Sequence, residues 1–443
     1  MNQVDKAMSA EREAYPPTAR ALVTLGLLTM AYVISLIDRQ VLALMVNPIK
    51  ADLGISDFQM SLLQGFAFAL FFCILGIPSG RLADRYSRKT IVIGGILLWS
   101  LMTISCGFAG NYAMLFVARM GVGVGEAALA PAGYSLIADS FRKDRLVWAT
   151  SAFTLGGMFG CALALLLGGL VIDYVSHQAA APFGLDGLKP WQVTFILVGL
   201  PGFVAAGLLM LMKEPSRKGG HEPAPPFGAA FTKLWSRRRD YTDLYLVGAL
   251  MSVAYYGGLT WLPTHLIRTF GLSPGETGLL LGVIYLVAPI LGVTVGSQMN
   301  AVFTARGHTD AALRTVMIVA IGAAATYFAP LLPTLESVAV LWFISLVFQS
   351  SYYGNVMTAL QILTPNRLRA TNVAILTIVI NMAGAGLGTA IIAALADRVF
   401  PGDPRGIGQA LTIVGILSGL AAALVAAGGL KRLREAMAQH AQA

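Results

Sequence analysis

Twelve apolar stretches, each long enough to cross a bilayer as one helix, constrain this chain more than any other feature. They lie near residues 22–46, 58–80, 90–109, 112–137, 146–172, 191–212, 242–266, 276–297, 312–329, 336–361, 371–395 and 405–428. A hydrocarbon core about 30 Å thick takes roughly 20 helical residues. Inside lipid the backbone must satisfy its own hydrogen bonds, which leaves helices or closed barrels. Period-two alternation is absent from the sequence, so the expected fold is an all-α polytopic membrane protein of twelve transmembrane helices. A chain with 56% hydrophobic and 12% charged residues fits no water-soluble globule.

The net charge of +9 raises the question of nucleic acid, but the loops explain it. With a cytoplasmic N-terminus, the outer loops hold only Lys50, Lys189, Arg268, Arg398 and Arg405, and the cytoplasmic side carries most of the rest. The positive-inside rule then places both termini in the cytoplasm, makes the surplus topological, and removes nucleic acid as a partner. Cys73, Cys106 and Cys161 lie in apolar spans without CxxC spacing, and the histidines are scattered. Neither a disulfide framework, a metal nor a cofactor is expected. The polar first twenty residues precede a full-length span, which is not the pattern of a signal peptide. No nucleophile-base constellation is visible, so no catalytic residue is assigned and an enzyme is not expected.

Four charges stand inside spans: Asp38 and Arg39 in the first, Arg119 and Glu126 in the fourth. Charges at membrane depth are costly and are normally kept for ion or substrate handling. Seven residues apart, Arg119 and Glu126 fall two turns apart on one helix face. At 1.5 Å per residue, Asp38 lies roughly 12 Å and Arg119 roughly 10 Å from the outer ends of their spans. The two are expected to meet at one level, with Glu126 nearer the midplane. Alternatively, Asp38 and Arg39 neutralise each other or mark a frayed end, and Arg119 forms a packing salt bridge.

Between the second and third spans runs Gly80-Arg81-Leu82-Ala83-Asp84-Arg85-Tyr86-Ser87-Arg88-Lys89. This decapeptide resembles the loop signature of the major facilitator superfamily, with Ser87 in place of its second glycine. Asp84 can face the positive end of a neighbouring helix, and Arg88 can reach a carboxylate such as Asp139. Such contacts would latch two halves of the molecule in an outward-facing state; a positive-inside anchor is the plainer reading. The fourth span, Arg119-Met120-Gly121-Val122-Gly123-Val124-Gly125-Glu126-Ala127, resembles a second pattern of that superfamily, with Val122 for the usual glutamine. No strand precedes these glycines, so a dinucleotide-binding reading fails. Gly156-Gly157-Met158-Phe159-Gly160 loosely resembles an antiporter signature whose proline is missing here.

Residues 213–240 are rich in Pro, Gly and Arg, with Pro223-Ala224-Pro225-Pro226 and Arg237-Arg238-Arg239. They separate an N-terminal six-helix half, 1–212, from a C-terminal six-helix half, 241–443. An internal repeat supports the division: Ser56 with Gln59 and Ser273 with Glu276 form capping boxes that open the second and eighth spans. Gly80 and Asp84 correspond to Gly296 and Asn300. The C-terminal spans show no buried charge by this reading, only Gln349, Asn355, Gln361, Asn372 and Asn381. They also carry Tyr255, Tyr256, Phe348, Tyr352, Tyr353 and Met357. Facing a charged half, these six would line the apolar wall of a cavity that fits an amphiphile; ordinary packing is the alternative for any one of them.

Asp38-Arg39, the Gly80 to Lys89 loop, and Arg119 to Glu126 followed by Pro131-Ala132-Gly133-Tyr134 together resemble the spinster branch of the superfamily. The resemblance covers essentially the whole chain. It implies the major facilitator fold of two six-helix pseudo-repeats, and a proton-linked or facilitated transporter of lysolipids, sphingoid phosphates or related amphiphiles. A monomer in a bacterial inner membrane, with membrane lipids and protons as further partners, is the expected setting. Protonating Glu126 or Asp38 would break its pairing with Arg119 and free that guanidinium for a phosphate or carboxylate headgroup. A carrier of small polar solutes, or multidrug efflux, is the alternative.

Overall fold

The computed structural model describes residues 15–177, 185, 187–217, 227–365 and 368–442. Pro223 to Pro226 and the first fourteen residues lie outside the described residues. Among the described residues every regular element is helical, and twelve helices are long and apolar enough to span a bilayer. They are α1 Thr18–Leu44, α2 Asp57–Gly76, α3 Arg88–Gly107, α4 Tyr112–Ser140, α5 Asp144–Ser176 and α6 Pro190–Leu211. The second six are α7 Arg238–Phe270, α8 Pro274–Ala305, α9 Ala311–Leu331, α10 Leu335–Leu363, α11 Thr371–Val399 and α12 Gly406–Ala438. Each matches one of the twelve stretches read from the sequence, and the chain is an integral membrane protein.

Two compact units divide the chain. Met1–Leu42 with Leu70–His221 forms the first, and Ala43–Ala69 with Glu222–Ala443 forms the second. The segment Ala43–Ala69 holds the C-terminal end of α1, the short helix Val46–Leu53 and the start of α2, and it groups with the second unit.

In the first unit, glycines set how closely helices approach. A Cβ on Gly125 of α4 would lie 2.6 Å from the Trp99 nitrogen of α3, and one on Gly95 would lie 2.6 Å from the Gly125 carbonyl. Small residues at such crossings let backbones meet. The Gly156 to Gly160 run performs the same task for α5 and α1, since a Cβ on Gly160 would fall 2.6 Å from the Leu36 side chain. α4 is interrupted directly after Glu126, resuming at Leu129. Pro131 lacks the N–H that would close the helical bond to Ala127, which accounts for the break.

In the second unit, the π-helical turns Leu62–Phe66 and Met382–Gly388 pack on each other. A Cβ on Gly65 would lie 1.7 Å from the Ala385 carbonyl oxygen, so only glycine fits this crossing. The core of this unit gathers Tyr241, Met251, Val316, Tyr352 and Leu376.

Candidate functional site

Asp38, Arg119 and Glu126 are buried, at 1%, 0% and 3% exposure. Consecutive helical residues point about 100° apart, so Asp38 and Arg39 meet different neighbours. Thr103 Oγ1 of α3 donates to Asp38 Oδ2 at 2.8 Å. Arg39 Nη2 donates to Glu126 Oε2 at 2.5 Å, and its guanidinium lies 5.6 Å over the Phe72 ring. Arg119 Nη1 donates to the Asp38 main-chain carbonyl at 3.5 Å.

Arg119 and Asp38 therefore meet, as the depth arithmetic predicts, but through a backbone oxygen. The pairing of Glu126 with Arg119 is corrected: the partner of Glu126 is Arg39. Asp38 and Arg39 each turn to another residue, Asp38 to Thr103 and Arg39 to Glu126. Thr103 and Phe72 are the contacts that sequence reasoning missed; a hydroxyl in an apolar span was the available signal for the first.

Arg119 Nε and Nη2, Asp38 Oδ1 and Glu126 Oε1 are buried without a hydrogen-bond partner among the described residues. Buried polar atoms are normally satisfied, and an uncompensated buried charge costs several kcal/mol. Nε and Nη2 form the side edge of the guanidinium, which grips a carboxylate or phosphate with two parallel hydrogen bonds. The arrangement thus combines an anion fork with two carboxylate oxygens able to hold a proton.

Arg88 anchors a second cluster and is 1% exposed. Its Nη1 donates to Asp139, as expected from the sequence, and to Ser135 Oγ at 3.1 Å. Its Nε and main-chain N both donate to Glu214 Oε1 at 3.1 Å, and its Nη2 donates to the Pro215 carbonyl at 3.0 Å. Ser87 caps α3 and donates to Glu214 Oε2 at 2.6 Å. Partial burial pushes the Glu214 carboxyl up, but hydrogen bonds from Ser87 and Arg88 outweigh it and hold it below the usual glutamate value.

All these partners of Arg88 belong to the first unit, so the contacts brace that unit; the latch between halves read from the sequence is not among them. Gly80 faces Pro131, with a Cβ there at 3.8 Å, and Arg85 is exposed. The Asp84 side chain lies outside the described residues.

In the second unit, Tyr352 is a core residue, and Tyr256, Phe348 and Met357 pack against that core. Tyr353 is 44% exposed. Tyr255 meets the Tyr256 ring edge-on at 5.6 Å. The asparagines find partners: Asn355 Nδ2 donates to the Ser351 carbonyl at 2.8 Å, and Asn372 Nδ2 to Thr364 Oγ1 at 2.7 Å.

The reading of no buried charge here needs correction. Asp243 in the second turn of α7 is 9% exposed and takes Arg432 at 2.7 and 2.6 Å. Asp310, fully buried before α9, pairs with Arg314 at 3.2 Å. Asp57, which opens α2 and so lies outside the C-terminal spans, is 6% exposed, binds Lys50 and takes Arg268 at 2.8 Å through both oxygens. These carboxylates sit at helix ends, where a search for mid-span charges passes over them.

Twelve membrane-length helices with charges buried among the first of them define a polytopic membrane protein with the fold of transporters. The sequence profile of the Major Facilitator Superfamily matches residues 28–389, and the chain belongs to that family. An MFS-type efflux pump of Mycolicibacterium smegmatis is 28% identical over 286 residues, 63% of this chain and 62% of that protein. The sphingosine-1-phosphate transporter SPNS2 of Danio rerio is 25% identical over 295 residues, 62% of this chain and 56% of that protein. Protein spinster homolog 1 of Homo sapiens is 28% identical, over 63% of this chain and 54% of that protein.

The matched chain spans less than two thirds of the length of these relatives. Among solved structures, a bacterial homologue of the human lysosomal transporter Spinster, in an inward-facing and unoccupied conformation, superposes with a TM-score of 0.78. It is 24% identical, over 96% of this chain and 99% of that one. A D-xylose-proton symporter superposes with a TM-score of 0.65 at 15% identity, over 90% of this chain and 97% of that one. These two likenesses concern the fold.

Proposed function

We propose that the protein is a secondary active transporter that works by alternating access and couples protons to an anionic amphiphile. The observation that carries this reading is the fully buried Arg119, whose bidentate edge has no partner among the described residues beside Asp38 and Glu126. The naming of one relative as a sphingosine-1-phosphate transporter agrees with a phosphate-headed amphiphile as the substrate class.

With all four groups ionised, Asp38, Arg39, Arg119 and Glu126 sum to zero. Glu126 holds Arg39. A proton on Glu126 releases that guanidinium and leaves the group one charge positive, which an anionic headgroup on Arg119 restores to neutrality. Proton and anion are then favoured in the same state, which is the logic of symport. Exposure of the site alternates as two six-helix halves, 1–212 and 241–443, rock about it. Gly80, Asp84, Arg85, Arg88 and Asp139 serve the conformational step, in which the Arg88 to Asp139 pair keeps the first half rigid. Tyr255, Tyr256, Phe348, Tyr352, Tyr353 and Met357 supply the apolar side. The protein sits as a monomer in an inner membrane with both termini cytoplasmic.

Proteoliposomes under an imposed pH gradient test the proposal. Wild type accumulates a phosphate-headed lysolipid, whereas Glu126→Gln loses gradient-driven accumulation. Full gradient-driven uptake in both Glu126→Gln and Asp38→Asn would remove the proton role. A second reading, multidrug efflux, draws on the mycobacterial efflux pump among the relatives. Gradient-driven transport of hydrophobic cations in place of the lysolipid favours it.

A further inference from the structure

The short helix Phe227–Ser236 lies immediately before α7 and has two unlike faces about 100° apart. Ala230 and Leu234, at 1% and 4% exposure, belong to the core of the second unit. Phe231 and Trp235, one position further round, are 41% and 59% exposed. Four residues apart, they share a face, and their rings stack at 5.9 Å with 22° between planes. Aromatic side chains with an apolar body and a wettable edge gather where a membrane meets water.

One cation lies on this pair, and others are exposed close by in sequence. Arg238 lies 5.5 Å over the Trp235 ring and is steadied there by Nη1 donating to the Trp235 carbonyl at 3.2 Å. Lys233 and Arg239 are exposed, while Arg237 is turned to Asp240 at 3.0 Å. An exposed aromatic face with Arg238 over it, on a helix that also exposes Lys233 and is followed by exposed Arg239, has the composition of an interfacial helix that meets negatively charged lipid. Because α7 begins at Arg238, the helix is tied within a turn of a spanning segment. A lipid leaflet is therefore the partner that is always within reach.

We propose that the helix Phe227–Ser236 is a docking surface for anionic phospholipid of the adjacent leaflet. Phe231 and Trp235 enter the boundary between headgroups and acyl chains. Lys233, Arg238 and Arg239 bind the phosphodiester headgroups.

The test uses the full-length protein in phosphatidylcholine vesicles with rising phosphatidylglycerol. Trp235 is read as the fluorescence difference between wild type and Trp235→Phe, using lipids spin-labelled at shallow or deep acyl positions. The shallow label quenches Trp235 more strongly than the deep one, phosphatidylglycerol raises the quench, and salt lowers it. Each neutralised cation lowers the apparent affinity for phosphatidylglycerol about fivefold, or about 1 kcal/mol, so Lys233→Gln/Arg238→Gln/Arg239→Gln loses about a hundredfold. Unchanged melting of that variant shows that it folds, since the three side chains are exposed. The proposal is overturned if Trp235 is unquenched at every phosphatidylglycerol content. It is equally overturned by quenching that follows protein density alone, the mark of a second copy as occupant, or by a triple variant with wild-type lipid dependence.

Discussion

The buried charges of the two units differ in how completely their neighbours answer them. In the second unit, Asp57, Asp243 and Asp310 each take an arginine, at 2.8, 2.6 and 3.2 Å. In the first unit Glu126 takes Arg39, but among the described residues Arg119 has a single 3.5 Å bond to a backbone carbonyl, and Asp38 and Glu126 each keep an oxygen without a partner. Charges matched by side chains at helix ends fasten one helix to the next. Charges left unmatched in mid-span cost free energy unless something else meets them, which is the ground for proposing that they serve a ligand or a proton. Arg88 provides a control within the first unit, because it is as buried as Arg119 yet bonded along every edge.

The contrast between those two arginines gives the largest expected effect. Arg88→Ala strands Asp139 and Glu214 and lowers stability by about 3–5 kcal/mol in a thermal or denaturant melt. Arg119→Gln leaves the melting temperature unchanged or raised while uptake falls at least about a hundredfold, roughly 2.7 kcal/mol of lost binding. Equal destabilisation by both would erase the distinction.

Next comes Asp57→Ala, which removes the shared partner of Arg268 and Lys50. A loss of about 2–3 kcal/mol in stability is expected, recovered in part by Asp57→Glu. Thr103→Val takes the hydroxyl that donates to the Asp38 carboxylate and slows uptake about tenfold, roughly 1.4 kcal/mol, with little change in melting. The smallest effect concerns pH. Because the folded Glu214 carboxyl lies below its usual value, its contribution is present above about pH 4.5 and is lost as pH falls through the lowered value. Glu214→Gln flattens that acid limb of the stability curve.

Much of the architecture was legible in the sequence, because lipid imposes one length and one polarity on each span. The twelve helices and the pairing of Arg88 with Asp139 followed from that regularity and from the spacing of charge along a loop. The partner of Glu126 was not legible. It depends on the rotation of α1 about its own axis, and Asp38 and Arg39, being adjacent, necessarily point to different neighbours. Glu214 was missed because it lies past the end of α6 in a stretch without periodicity. The grouping of Ala43–Ala69 with the second unit rests on contacts such as Arg268 to Asn47 at 2.8 Å, far apart in sequence and invisible to local pattern.

The central claim is that the open edge of Arg119 receives the anionic headgroup. Equilibrium binding of a phosphate-headed lysolipid to the purified protein tests it most directly, comparing wild type with Arg119→Gln and Arg119→Lys. The account predicts a loss of about a hundredfold in Arg119→Gln and a smaller loss in Arg119→Lys, which keeps the charge but not the bidentate edge. Wild-type affinity in Arg119→Gln would contradict it.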